Sequence, residues 1–224
     1  YCCNNFHALK ITFANETARL CEALGVDPFE VMDLVCQDTQ LNISRAYLKP
    51  GFAFGGSCLP KDVRALSACA RQNNVAAPLL FSLMESNEES VKRAVKAIQA
   101  FGKKKLGVMG LAFKAGTDDM RESPVVELVE TLLGKGFNIK IFDRNVSLAR
   151  LMGSNKAYIE SAIPHLADLL CERTDDIAAH SEIVLVTYRD QEFYPVLQKL
   201  SKHQIVYDLA RVPDSEKIHA EYHG

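Results

Sequence analysis

The sequence predicts two domains of different class: an all-α domain over residues 1–101 and a small parallel-sheet α/β domain over residues 102–224. Three observations carry this. Apolar stripes at helical spacing fill the first hundred residues, and no convincing strand pattern lies among them. The character then changes at Gly102-Lys103-Lys104-Lys105, a short basic run that reads as a solvated boundary. Beyond it, strand, helix and strand patterns follow one another within about forty residues, the length of a βαβ unit.

The elements follow in order. Phe6, Leu9, Phe13, Leu20 and Leu24 mark one face of a long first helix, and Gly25 ends it. Asp27-Pro28-Phe29-Glu30 reads as N-cap to N3 with a capping-box carboxylate, opening a second helix that runs to about Cys36. Asn42 to Pro50 is less regular. Pro60 sits early in a third helix, with Val63, Leu66 and Ala70 on its stripe and an end near Asn73-Asn74. Pro78 opens a fourth, carrying Leu80, Leu83, Val91, Val95, Ile98 and Phe101. In the second domain Leu106 to Leu111 is a buried-strand candidate. Ser123-Pro124 caps a helix that ends at Gly134-Lys135-Gly136, and Asn138 to Phe142 is a second strand closed by Asp143. Ile183–Tyr188 and Gln204–Leu209 read as further strands, with Asp176–His180 and Glu192–Leu200 helical. There is no internal repeat and no low-complexity segment.

Composition narrows the function. The chain has 224 residues, 48% of them apolar, enough for a substantial core. A formal net charge of -2 makes no electrostatic case for nucleic acid or an anionic membrane. No apolar run approaches the about 20 residues of a membrane span, and no signal-peptide pattern stands at the start. The seven cysteines are odd in number and show no C-x-x-C spacing, and the six histidines are scattered. That points to free thiols in a reducing cytoplasm and to no metal site. The first residue is Tyr1, inside a helical pattern, so the chain is expected to be part of a longer protein.

The chemistry centres on Gly51 to Asp62, Gly-Phe-Ala-Phe-Gly-Gly-Ser-Cys-Leu-Pro-Lys-Asp. Three glycines allow a sharp turn and close approach to a ligand. Cys58 then falls at a loop-to-helix junction, where free backbone N–H groups and the helix dipole favour a thiolate. Lys61 adds positive charge and Asp62 a possible acid or base. These residues suit a nucleophilic cysteine, and they suit equally a buried structural thiol after a glycine-rich turn. Asn4, His7, Lys10, Asn15 and Glu16 form a polar row on the first helix, which by itself reads as a solvated face. Lys114 follows the first strand of the second domain, where a parallel sheet binds ligands, and a lysine there suits a diphosphate. The other reading is an exposed loop with Lys114–Asp118 or Asp119–Arg121 pairs. Gly107 and Gly110 do not make a G-x-G-x-x-G fingerprint, which weakens any claim to ordinary dinucleotide binding in this domain.

The run Gly51-Phe52-Ala53-Phe54-Gly55-Gly56-Ser57-Cys58-Leu59-Pro60-Lys61-Asp62 also resembles the active-site signature of the UDP-glucose/GDP-mannose dehydrogenase family. Phe113-Lys114-x-x-Thr117-Asp118-Asp119-x-Arg121-x-Ser123-Pro124 resembles that family's second signature, and Asn4-x-x-His7-x-x-Lys10-x-x-Phe13-x-Asn15-Glu16 its central helix. The resemblance covers essentially the whole chain. Leu41-Asn42-Ile43-Ser44-Arg45, Phe142-Asp143-Arg144-Asn145 and the stretch from Asn155 to His165 look like the GDP-mannose branch. It implies an all-α central dimerisation domain followed by a Rossmann-like α/β domain that binds the nucleotide sugar. A preceding NAD-binding domain would lie outside this chain.

The resemblance further implies a double oxidation of a sugar primary alcohol to a carboxylate with NAD. Cys58 would be the nucleophile, Asp62 the base or orienter of the hydrolytic water, and Asn4 a donor to the oxyanion. The family's essential lysine would stand one residue before Tyr1. GDP-mannose contacts are implied for Asn4, His7, Asn15, Tyr47, Lys49, Phe52, Gly55 and Lys114, and NAD contacts for Lys61 and Arg121. A homodimer through the helical domain is implied, and by association an exopolysaccharide pathway such as alginate. Two departures bear on specificity: Ala46 stands where the GDP-mannose branch has a tyrosine, and Lys49 where it has an arginine, whose bidentate contact a lysine cannot make. The alternatives are a UDP-glucose or UDP-N-acetyl-hexosamine 6-dehydrogenase, and a non-catalytic nucleotide-binding and dimerisation module. The chain alone is expected to be inactive.

Overall fold

A computed structural model describes residues 1–39, 50–72, 78–151 and 164–224. They form two compact units, Tyr1–Arg93 and Ala94–Gly224. In the first unit the regular elements among the described residues are helices: α1 (Cys2–Leu24), α2 (Pro28–Gln37), α3 (Leu59–Gln72) and most of α4 (Pro78–Ala100). Gly25 ends α1 at φ 70°, where only glycine is unstrained, and the Val26 N–H reaches back to the Cys21 carbonyl at 2.9 Å. Asp27 caps α2 through its carboxylate, which accepts the Phe29 N–H at 2.7 Å.

The packed face of α1 differs from the expected one. Ala8 and Ala14 have no exposed surface, and Ala18 and Cys21 are buried, whereas Phe6 and Phe13 are 44% and 50% exposed. Small side chains let neighbouring helices come close. Ala8 packs with Phe54, Val63 of α3 and Leu83 of α4, and Ala14 packs with Met32 and Cys36 of α2. The described members of the polar row are correspondingly not on a solvated face: Asn4 and His7 are half-buried, Lys10 and Asn15 buried. Thr12 is buried too, and the Lys10 ammonium lies 4.4 Å from the centre of the Phe6 ring.

The second unit is built on five parallel strands: β1 (Lys105–Met109), β2 (Asn138–Phe142), β3 (Ile183–Val186), β4 (Ile205–Asp208) and β5 (Glu221–His223), in the order β2-β1-β3-β4-β5. Leu106 pairs with Ile139 on one side and Ile183 on the other. Near-continuous apolar strands are what a parallel sheet covered on both faces requires. Helices α5 (Pro124–Gly134), α6 (Arg144–Leu151), α7 (Pro164–Ala167), α8 (Thr174–His180) and α9 (Tyr194–Leu197) connect or flank the strands. Gly107 is where α8 meets β1. A Cβ there would stand 2.1 Å from Ser181 Oγ and 2.5 Å from Ile177 Cγ2.

Strands β1 to β4 and helix α5 lie where the sequence placed them, within a residue or two, except that β1 and β3 stop two residues early. Strand β5 and helices α6 and α7 are additions, and α9 is shorter than the expected Glu192–Leu200. Ser123 precedes α5 but does not cap it with its side chain; its hydroxyl donates instead to the Leu111 carbonyl at 2.9 Å. The strand order reverses between β1 and β3, so the crevice outside their carboxyl ends is the position where such sheets take ligands. No helix among the described residues is long and apolar enough to cross a membrane. Among the same residues no group of three or more His, Cys, Asp or Glu could hold a metal ion.

Candidate functional site

In the first unit, Cys58 immediately precedes α3, and its carbonyl accepts the Asp62 N–H at 2.9 Å, closing the first helical turn. Its thiol is exposed, so it is not a core sulfur. Ser57 Oγ lies 3.9 Å from Cys58 Sγ. Cys58 thus stands at the N-terminus of a helix, where the first backbone N–H groups lack carbonyl partners within the helix.

One turn further on, Asp62 is buried beneath the start of α1. Its Oδ2 accepts a hydrogen bond from Asn4 Nδ2. Its Oδ1 faces Lys61 Nζ at 3.5 Å and has no hydrogen-bond partner among the described residues. Asn5, also buried, donates to the Asp62 carbonyl at 3.0 Å and to the Tyr1 carbonyl at 3.1 Å. The Asn4 hydrogen bond, supported by the Lys61 ammonium and opposed by burial, holds the Asp62 carboxyl below the usual carboxylate range. Asp62 is therefore ionised at neutral pH.

The glycine turn is held by two more asparagines. Asn15 accepts the Gly51 N–H at 2.9 Å and donates to the Phe52 carbonyl at 3.2 Å. Asn87 of α4 accepts the Phe54 N–H at 2.8 Å and donates to the Phe54 carbonyl at 2.9 Å. Phe54, Gly55 and Gly56 are buried, and Gly56 adopts φ 85°. The turn thus arrives at Cys58 with its backbone fixed from both sides. Asn87 and Asn5 were not among the expected site residues. Asn87 had a legible signal, since it lies four residues from each of the buried Leu83 and Val91 and so interrupts an apolar stripe.

The expected residues of this unit divide as follows. Asn4, Lys61 and Asp62 come together beside Cys58. Asn15, Phe52 and Gly55 belong to the clamped turn. His7 is half-buried on α1. Tyr47 and Lys49, with Ala46 and the 41–45 stretch, lie outside the described residues, as do residues 155–163.

In the second unit, Lys114 is exposed beyond the carboxyl end of β1, with its ammonium 5.3 Å from the Phe113 ring centre. Among the described residues no carboxylate pairs with it. Arg121 instead pairs with Asp119 through both Nε and Nη2 at 2.9 Å, and this holds the Asp119 carboxyl below its ordinary range. Of the two loop pairs the sequence allowed, Asp119–Arg121 forms and Lys114 stays available. Behind this loop, Asp143 has no exposed surface. Its Oδ2 accepts the N–H groups of Leu111 at 2.8 Å and Ala112 at 3.0 Å and the Tyr188 hydroxyl at 3.0 Å, while Oδ1 accepts the Val146 N–H at 3.1 Å.

These two sets of residues fall within two matched sequence profiles. Residues 1–89 match the UDP-glucose/GDP-mannose dehydrogenase family, central domain, and residues 107–215 match the same family's UDP binding domain. The chain is 52% identical over 209 residues to GDP-mannose 6-dehydrogenase of Pseudomonas aeruginosa, covering 93% of this chain and 48% of that protein. It is 33% identical over 230 residues to UDP-glucose 6-dehydrogenase of Rickettsia bellii, covering 97% of this chain and 50% of that protein. Among solved structures, a ternary complex of GDP-mannose dehydrogenase from Pseudomonas aeruginosa matches with TM-score 0.76 and 50% identity, over 99% of this chain and 51% of that one. A UDP-glucose dehydrogenase from Pyrobaculum islandicum matches with TM-score 0.81 and 30% identity, over 100% of this chain and 49% of that one. The chain spans about half the length of the curated relatives it matches. Its helical unit and its parallel-sheet unit carry successive domains of one family, and the chain belongs to the UDP-glucose/GDP-mannose dehydrogenase family.

Proposed function

We propose that this chain supplies the catalytic thiol and the nucleotide-sugar site of an NAD-dependent nucleotide-sugar 6-dehydrogenase that oxidises GDP-mannose to GDP-mannuronate. The observation that carries this reading is an exposed Cys58 at the start of α3, one turn from a buried, ionised Asp62 tied to Asn4. A primary alcohol becomes a carboxylate in two oxidations with an addition between them. The Cys58 thiolate adds to the aldehyde carbon, forming a C–S bond and a thiohemiacetal. The second oxidation turns that adduct into a thioester. Water then attacks the thioester carbon, the C–S bond breaks, and the thiol is regenerated with the acid. A thiolate suits this work because it is both a strong nucleophile and a good leaving group.

Asn4 uses one Nδ2 hydrogen on Asp62 and retains a second for the oxyanion that develops at the sugar carbon. Asp62 lies below the usual carboxylate range and so is a weak base. Its work is to accept a hydrogen bond from the attacking water and orient it, rather than to remove a proton outright. Lys114, without a carboxylate partner among the described residues, is the cation for the sugar-nucleotide diphosphate.

NAD, when bound, supplies the hydride acceptor for both oxidations. Lys61 and Arg121 are exposed cations that fit contacts to its phosphates. The second unit itself does not fit a dinucleotide in the usual way, because the turn after β1 lacks the glycine fingerprint and Asp143 is buried and occupied by protein donors. Residues outside this chain would hold most of the cofactor, and the chain alone would bind nucleotide sugar without turning it over. The half-exposed Phe6 and Phe13 on α1 suit a homodimer through the helical unit, in a cytoplasmic enzyme.

Identity favours the GDP-mannose branch, at 52% against 33% for a UDP-glucose relative. The departure at Lys49 keeps a UDP-sugar as the second reading. Substituting Cys58→Ala in a protein of the relatives' full length tests the mechanism. Acid product is expected to vanish while GDP-mannose binding persists, and retained acid formation would overturn the assignment.

A further inference from the structure

In doubly wound sheets the acidic residue at the end of the second strand commonly reads a ribose hydroxyl. Asp143 occupies that place, at the carboxyl end of β2, but it faces the protein. The N–H groups it accepts belong to Leu111 and Ala112, the two residues that lead from β1 to Phe113 and Lys114. The same oxygen accepts the Tyr188 hydroxyl from the turn after β3. Burial and the Asp143 charge push the Tyr188 phenol above its ordinary range, so at neutral pH the hydroxyl is protonated and donates to that oxygen. The segment is held from other sides as well. Ser123 Oγ donates to the Leu111 carbonyl, and Thr187 Oγ1 lies 3.1 Å from the Gly110 carbonyl. Gly110 adopts φ 99°, and a Cβ there would stand 2.5 Å from the Tyr188 ring. The start of the Lys114 loop is thus a fixed backbone segment at the sheet's switch point, and Asp143 is its hub.

We propose that Asp143 and Tyr188 are positioning residues for diphosphate recognition: the carboxylate fixes the backbone of Leu111 and Ala112, the hydroxyl fixes the carboxylate, and together they set where Lys114 meets the diphosphate. This rests on Lys114 being the diphosphate cation. A buried carboxylate shared among backbone donors is a rigid support, and rigid supports lower the ordering cost of binding. The sheet offers a matched control. Asp208 at the end of β4 likewise accepts the N–H groups of Ala210 and Val212 and the hydroxyl of Tyr222, but none of its partners belongs to the Lys114 loop.

The test is calorimetric titration of the chain with GDP, in a double-mutant cycle of Lys114→Ala and Tyr188→Phe, with Tyr222→Phe alongside. Lys114→Ala is expected to weaken GDP about tenfold or more, as loss of a charge-assisted contact does. Tyr188→Phe is expected to weaken GDP roughly threefold in the parent, within the range of one net hydrogen bond, and to have no further effect once Lys114 is gone. Tyr222→Phe should leave GDP affinity unchanged. Additive effects of Lys114→Ala and Tyr188→Phe would overturn the positioning role, as would an unchanged affinity in Tyr188→Phe or an equal loss in Tyr222→Phe. If Lys114→Ala itself changes nothing, or the parent chain does not bind GDP, the underlying reading of Lys114 fails instead, and the positioning role falls with it. Amide exchange gives a second readout. Leu111 and Ala112 should lose protection in Asp143→Asn and Tyr188→Phe, and unchanged protection in both would contradict the role assigned to them.

Discussion

Replacing Asn87 by alanine isolates the clamp that holds the glycine turn. The Asn87 amide satisfies both backbone groups of Phe54, the N–H at 2.8 Å and the carbonyl at 2.9 Å. Phe54 is buried, so water does not readily replace the lost partner. Leaving a buried polar group unpaired costs about 1–3 kcal/mol, and the two groups belong to one residue and can relax together. A total loss of about 2–4 kcal/mol follows for the helical unit. With a urea dependence of about 1.5 kcal/mol per M, the unfolding midpoint should fall by roughly 1.3–2.7 M. The unit carries its own reporters, because Cys21 and Cys36 are buried in it. Urea-dependent alkylation of these two thiols, read by peptide mass spectrometry, follows this unit apart from the α/β unit. A midpoint within 0.2 M of the parent, an arbitrary but generous margin of about 0.3 kcal/mol, would refute the idea that Asn87 fixes the turn. Asn87→Asp keeps an acceptor for the Phe54 N–H but sets a carboxylate against the Phe54 carbonyl, and should destabilise no less.

Other outcomes follow from single contacts. Gly107→Ala places a Cβ 2.1 Å from Ser181 Oγ and 2.5 Å from Ile177 Cγ2, overpacking α8 against β1, and should cost about 1–3 kcal/mol in thermal or urea unfolding of the α/β unit. Burial pushes the Cys171 thiol up to about 11, so iodoacetamide at pH 8 should modify the exposed Cys58 well before Cys171, and equal rates would contradict this. The Asp62 carboxyl is lowered on folding. Its contribution to stability is therefore complete above the ordinary 3.8 and is lost as pH falls below that through the folded value. Asp62→Asn should flatten that part of the acid-unfolding curve of the helical unit, as read by Cys21 and Cys36, and an unchanged curve would remove Asp62 from the account.

Local rules made much of this legible. Gly25 ends α1 in the left-handed conformation, Asp27 caps α2, and β2 spans the residues its alternating and apolar pattern marks out, because each depends on neighbours in sequence. What was not legible depends on contacts between distant residues. Lys10 and Asn15 looked solvated, yet they are buried because alanines on α1 bring other segments close. Ser123 looked like a cap, but a carbonyl 12 residues earlier captures its hydroxyl. Strand β5 is three residues long, too short to show a period, and it is fixed by pairing with β4 and by the Tyr222–Asp208 hydrogen bond. Within the candidate site, spacing placed Cys58 at a loop-to-helix junction, and the family resemblance, not spacing, singled it out as the candidate nucleophile. The ties from Asn4 to Asp62 and from Asn87 to Phe54 span 58 and 33 residues, and no periodicity announces them.

The most direct measurement of the central claim is the NADH formed per GDP-mannose by a protein of the relatives' full length that contains these 224 residues, compared with its Cys58→Ala variant. Two NADH and one GDP-mannuronate are expected from the parent, and no acid from the variant. Acid formed by the variant with the same stoichiometry would contradict a thioester on Cys58.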